Sequence, residues 1–275
     1  MRAPPGYILS GMSSVLRFVA IILCLGANAA ALAIDLPAGL AAAGSGRVVE
    51  VIDGDTVVLA DGREVRLVGI QAPKLPLGRP GFPIWPLAPE AQRALAALIA
   101  NREVQLGIGG RERDRHGRVL AHLFRSRDGL WIQGEMLRQG LARVYTFADN
   151  RALAPELYAR EREARAAGRG IWALDAYRIL PSESAEGALD QFALVQGTVR
   201  AVGQARSSVY LNFGADWKRD FTAVIRPEAL RVFTMEGIEP AAYEGRRIRV
   251  RGWVESWNGP MIEVTHPEQI EEVLE

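Results

Sequence analysis

The stretch Arg47-Val48-Val49-Glu50-Val51-Ile52-Asp53-Gly54-Asp55-Thr56-Val57-Val58-Leu59-Ala60-Asp61-Gly62-Arg63-Glu64-Val65-Arg66-Leu67-Val68-Gly69-Ile70 decides the fold. Residues 47–52 read as a strand that Asp53-Gly54-Asp55 interrupts. Thr56 to Ala60 reads as a second strand, and Asp61-Gly62 is a two-residue hairpin signal before a return strand over 64–70. That turn places Val57 opposite Arg66, so Asp55, Val57, Glu64, Arg66 and Val68 share one face. Asp55 and Arg66 are then diagonal neighbours across the ladder. Such a pair is either a structural ion pair or part of a phosphate site.

Working outward, residues 75–88 carry Pro76, Pro80, Pro83 and Pro86, which excludes a helix or a central strand there. Phe82 and Trp85 in that loop either pack on the body of the protein or stack on bases. Pro89-Glu90 opens a helix with Ala91, Leu95, Leu98 and Ile99 at helical spacing. Val104–Ile108 and Val119–Phe124 read as a strand pair joined by the charged turn Arg111–Gly117. A helix over Ile132–Gln139, an extended Leu141–Phe147 and a charged helix over Leu153–Ala167 complete the unit. The order is mainly β with α, an antiparallel barrel with helices packed on it, spanning residues 47–178.

Residues 179–191 read as a polar linker, and residues 192–275 as a second, smaller OB-like β-barrel. Its strand candidates are Ala193–Val202, Ser208–Phe213, Phe221–Ile225, Ile248–Val254 and Met261–Thr265, with a helical insert near 227–235. Arg246 to Val254 alternates basic and apolar residues, which gives one positive strand face. Trp217, Trp253 and Trp257 are available for stacking beside it. The alternatives for this face are nucleic-acid binding and ordinary solvation.

On the N-terminal side, residues 34–46 are Gly/Ala-rich and read as a linker. Arg17, the apolar run Phe18–Leu25 and Ala31-Leu32-Ala33 mark residues 1–33 as a signal peptide or an N-terminal anchor. The expectation is an exported protein, periplasmic or secreted. Cys24 is the only cysteine, so the chain after residue 33 has no thiol chemistry. The net charge of +1 removes any global electrostatic argument for polyanion binding and leaves only local clusters. Lys74 and Lys218 are the only lysines among many arginines, a bias that composition alone explains.

Three motifs recur in order: Asp53-Gly54-Asp55-Thr56, Arg66-Leu67-Val68-Gly69-Ile70, and Asp114-Arg115-His116-Gly117-Arg118. With Gly140-Leu141-Ala142-Arg143-Val144 and Arg169-Gly170-Ile171-Trp172, they resemble the staphylococcal-type thermonucleases from Arg47 to Trp172. The resemblance implies a five-stranded OB-fold barrel with packed helices, and Ca²⁺-assisted hydrolysis of DNA or RNA phosphodiesters. It assigns Asp55 as a Ca²⁺ carboxylate, Asp53 as an outer acid, and Arg66 and Arg118 as phosphate clamps. Arg115, His116 and Tyr145 become candidates for substrate binding.

The family pattern then reads Asp-Thr/Ala-Pro-Glu where this chain reads Gln71-Ala72-Pro73-Lys74. Gln71 stands at a metal-ligand position and Lys74 at the position of the water-activating glutamate. Hard Ca²⁺ prefers carboxylate oxygens, so the resemblance implies a weakened site. Loss of the base costs about 10²–10⁴ in rate. Three readings remain. Lys74 replaces the metal's charge and holds phosphate, giving a non-catalytic nucleic-acid or polyanion module of the envelope. Another group (Asp53, Glu90 or His116) supplies the base in a nuclease. Or the charges only form internal ion pairs.

Overall fold

The computed structural model describes Met1 and residues 34–273. The leader expected over residues 1–33, Cys24 included, lies outside the described residues apart from Met1. Among the described residues no helix is long and apolar enough to cross a membrane.

The first half contains strands β1 (Ala41–Asp53), β2 (Thr56–Leu59), β3 (Glu64–Leu67) and β4 (Gly69–Gln71), then helix α1 (Ala88–Ile99). Strands β5 (Glu103–Ile108) and β6 (Val119–Arg125), helix α2 (Ile132–Arg138), strand β7 (Arg143–Tyr145) and helix α3 (Ala154–Ala166) follow. Five of these strands close a barrel in the order β1-β2-β3-β6-β5, with the helices packed on it, as expected. Strand β1 serves twice: Ala41–Arg47 pairs with β5, and Val48–Asp53 pairs with β2. Residues 41–46, expected as linker, are therefore strand. Crowding is confined to Gly46, where a Cβ would sit 3.0 Å from Leu59 Cδ1. The closing pair β3–β6 is parallel, so the barrel is not purely antiparallel.

The first hairpin differs from the expected one by a residue. Leu59 N donates to Arg63 O and Gly62 N donates to Leu59 O, which makes a three-residue loop with Gly62 at φ 84°. Val57 consequently pairs with Val65, and Thr56 with Arg66. The slip sends Val57, Leu59, Val65 and Leu67 together into the core and Arg66 to the opposite face. Each such fully buried side chain stabilises the fold by about 1.5–3 kcal/mol. Helix α1 follows from Pro89 in its first turn and from Ala91, Leu95 and Ile99, which it buries. Its first turn lies directly on the end of β1, because a Cβ on Gly54 would approach Ala72 and Ala91 Cβ to 2.6 and 2.7 Å.

The second half comprises β8 (Leu180–Pro181), β9 (Phe192–Thr198), β10 (Ala201–Ala205), β11 (Ser208–Asn212) and β12 (Thr222–Ile225). Helix α4 (Pro227–Met235), β13 (Arg247–Ser256), β14 (Pro260–Val264) and β15 (Ile270–Glu272) complete it. The sheet order is β10-β11-β12-β14-β13-β9-β8, with β15 on β13. Consecutive β9 and β10 thus sit on opposite flanks, the part β1 plays in the first barrel. The parallel pair β12–β14 matches β3–β6, and α4 follows the third strand as α1 does. A barrel-like sheet repeats the first architecture. Residues 182–188, expected as linker, form a short 3-10 helix that buries Ala185 and Ala188 in this second core.

Strand β13 joins the halves. Its even residues Ile248, Val250 and Val254 fill the second core, while Arg249, Arg251 and Trp253 share the other face. Arg251 is fully buried and reaches Glu161 of α3 at 2.8 Å, Glu271 at 2.5 Å and the Val144 carbonyl at 2.9 Å. Arg165 of α3 binds Glu271 at 2.7 Å. At Arg251 this face docks against the first barrel, whereas Arg249 pairs within the second half, with Gln196 at 2.6 Å and Glu271 at 3.8 Å, and Arg247 is exposed.

Candidate nucleic-acid interface

The residues singled out by the sequence fall into two adjacent groups. Asp53, Asp55 and Lys74 form one group at the barrel end, and Gln71 stands apart from it, bonded to Arg143. Arg66, Arg118, Arg115, His116 and Tyr145 line an open groove of about 620 Å³. Arg66 touches both.

The first group is an ion cluster. Lys74 Nζ donates to Asp55 Oδ1 at 2.6 Å, to Asp55 Oδ2 at 2.7 Å and to Asp53 Oδ2 at 3.1 Å. The Ala72 amide donates to Asp55 Oδ2 at 2.7 Å, and Arg66 Nη2 lies 3.2 Å from the same oxygen. Asp55 is fully buried and Asp53 nearly so. Burial pushes the Asp55 carboxyl up, but the charges of Arg66 and Lys74 outweigh it and hold the group at about 2. Burial and the neighbouring Asp55 charge push Asp53 up, against the pull of Lys74. Arg66 is further tied down by its backbone partners, the Ile70 carbonyl at 2.6 Å and the Leu67 carbonyl.

Gln71 does not face this cluster with a free oxygen. Its Oε1 accepts from Arg143 Nε at 3.0 Å and Nη2 at 2.7 Å. Arg143 is buried and forms no ion pair with a carboxylate among the described residues. Burial lowers its guanidinium to about 10, and it packs 4.2 Å from the Phe192 ring centroid. The donor set does not fit Ca²⁺. That ion needs six to eight oxygens, whereas both Asp55 oxygens hold an ammonium and the Gln71 oxygen holds a guanidinium.

The second group is exposed and cationic. Asp114 shapes the turn after β5, accepting from the His116 and Arg118 amides at 2.9 and 3.1 Å and from Arg118 Nε at 2.7 Å. Arg118 is held there with its side chain partly exposed, and Glu64 stands 3.9 Å away. Arg115 Nε donates to His116 Nε2 at 3.1 Å. The lining also includes Arg111, 3.6 Å from Asp149, and Trp253 from the second barrel, which the sequence offered for stacking beside the basic strand rather than in this groove. The period-two pattern of β13 held the signal for Trp253, since it lies two residues beyond Arg251. Phe82 and Trp85 stack on each other at 6.2 Å with Arg79 over Phe82, and neither lines the groove. His122 and His266 are buried; His122 accepts from Trp131 Nε1, and His266 bonds Thr146.

A closed five-stranded barrel with packed helices and a cationic groove at its end defines a nuclease-type OB barrel. Residues 64–174 match the family described as "Staphylococcal nuclease homologue". An uncharacterized endonuclease of Escherichia coli is 35% identical over 132 residues, covering 46% of this chain and 76% of its own. The thermonuclease of Staphylococcus hyicus is 28% identical over 129 residues, covering 46% of this chain and 74% of its own. Protein ParB of Escherichia coli is 35% identical over 137 residues, with 46% and 71% covered. The chain belongs to the staphylococcal nuclease family.

Proposed function

We propose that this protein holds a nucleic-acid strand by its phosphates in the groove, and that Ca²⁺-driven cleavage is not its working chemistry. Family membership supports nucleic acid as the ligand class. The excess of arginine in the groove, Arg66, Arg111, Arg115 and Arg118 against Asp114 and Asp149, supports phosphate as the bound group. The observation that carries the rest is the Lys74 ammonium, seated on both oxygens of Asp55. It supplies the positive charge of that site from within the chain and leaves no glutamate there to activate water. A metal-independent nuclease is the second reading, supported by His116, whose imidazole lines the groove beside Arg118. Export belongs to the same proposal and rests on the Phe18–Leu25 run and Ala31-Leu32-Ala33.

The test joins binding and cleavage on single-stranded DNA and RNA. Arg118→Ala should weaken binding and reduce the salt slope by about 1 in fluorescence anisotropy titrations. Wild-type protein should give no Ca²⁺-dependent cleavage products. Ca²⁺-stimulated cleavage that vanishes in Arg118→Ala would overturn the binding reading. Cleavage unaffected by chelator and lost in His116→Ala would establish the second reading instead.

A further inference from the structure

We infer that Trp253 is a base-stacking wall supplied to the groove by the second barrel, so that the ligand is single-stranded nucleic acid held by both barrels at once. The inference rests on the phosphate-binding reading of the groove and adds what the bases touch. Trp253 lies outside the family match, which covers residues 64–174.

Trp253 is 47% exposed and lines the same groove as Arg66 and Arg118. A large aromatic face left half in water beside a cationic cleft lacks the burial that would explain it as core. Its position is built rather than incidental. Arg251, two residues earlier on the same strand face, is locked to Glu161 and to the Val144 carbonyl. The indole Nε1 donates to Tyr145 Oη at 3.4 Å, and the ladder partner of Trp253 is Phe192, whose ring packs edge-on to Tyr145 at 5.0 Å. The wall is thus braced from both barrels.

Charge sets the orientation of a bound strand. Arginines line the first-barrel side, whereas an adjoining cavity of about 340 Å³ that shares Trp253, Tyr145 and Phe147 is lined by Glu255, by Glu263 paired with Arg226, and by Arg251, whose charge is held by Glu161 and Glu271. Phosphates belong on the arginine side, and a base belongs on the indole. In a duplex the base faces are already stacked and cannot lie on a side chain. An unpaired strand offers a π-face at every nucleotide, and stacking of this kind is tolerant of sequence.

The experiment uses the full chain, an oligothymidylate of about eight nucleotides and, as a base-free polyanion, polyphosphate. Trp253→Ala should weaken oligonucleotide binding by about 5- to 150-fold, the loss of one base–aromatic stack, and leave polyphosphate binding unchanged. Trp253→Phe should restore most of the affinity, and quenching of wild-type tryptophan fluorescence by the oligonucleotide should fall in Trp253→Ala. Unchanged oligonucleotide affinity in Trp253→Ala would overturn the stacking wall while leaving the phosphate groove standing. Equal loss for oligonucleotide and polyphosphate would also overturn it, because Trp253 would then only hold the barrels together. Equally tight duplex binding with the same sensitivity would overturn the single-strand assignment. Wild-type protein that binds neither ligand would remove the groove reading and this inference with it.

Discussion

Two ion clusters in this chain pair buried carboxylates with cations: Asp53 and Asp55 with Lys74 and Arg66 at the end of the first barrel, and Glu161 and Glu271 with Arg165, Arg249 and Arg251 between the barrels. They differ in what encloses them. The second is shut in by both halves, and the Arg251 side chain is 2% exposed. The first borders the groove, and the Lys74 side chain is 20% exposed. Pairing buried carboxylates with buried cations cancels charge in both places. Only at the barrel end does the cancellation fall on carboxylates that the family resemblance assigns to a metal. The same chemistry therefore acts as a joint in one region and as a built-in cation in the other.

The largest effect expected from this contrast is at the joint. Arg251→Met leaves Glu161 with Arg165 alone and Glu271 with Arg165 and the more distant Arg249, and removing one partner of a buried pair costs about 3–5 kcal/mol. Thermal and urea unfolding should register that loss; a variant as stable as wild type would show that the joint carries no load. A smaller effect separates the joint by pH. Burial lowers His266 to about 4, and its Nε2 sits 2.8 Å from Thr146 Oγ1 across the two barrels. A histidine kept neutral by the fold contributes fully above the unfolded value near 6.5 and loses that contribution as pH falls toward 4. Between pH 6.5 and 5 the wild type should lose about 1.5 kcal/mol more than His266→Gln in urea unfolding. Parallel pH profiles would contradict the buried neutral imidazole.

Much of the barrel was legible because its core alternates: Val57, Leu59, Val65 and Leu67 advertise strands, and α1 and α4 show their buried faces at helical spacing. The hairpin register was not, since Asp61-Gly62 permits both a two-residue and a three-residue loop, and only packing of Leu59 and Leu67 selects the latter. The parallel closures β3–β6 and β12–β14 have no local signal, because such pairing is set by tertiary contacts. Residues 41–46 hid as linker because glycine and alanine carry no strand pattern, although β5 supplies their ladder. At the site, the arginines and the departures at Gln71 and Lys74 could be read directly. What could not be read was direction: Lys74 points at Asp55, and Arg251 points at Glu161. Partners distant in sequence decide whether a basic residue faces a ligand or a carboxylate.

The most direct test of the built-in cation is the effect of Ca²⁺ on thermal unfolding of wild-type protein and of the Gln71→Asp, Lys74→Glu double variant. The ammonium on Asp55 predicts no Ca²⁺-specific stabilisation of the wild type up to about 1 mM, and a clear rise in Tm for the variant. A wild type stabilised by Ca²⁺ as strongly as the variant would show that Lys74 yields to the metal and would contradict the account.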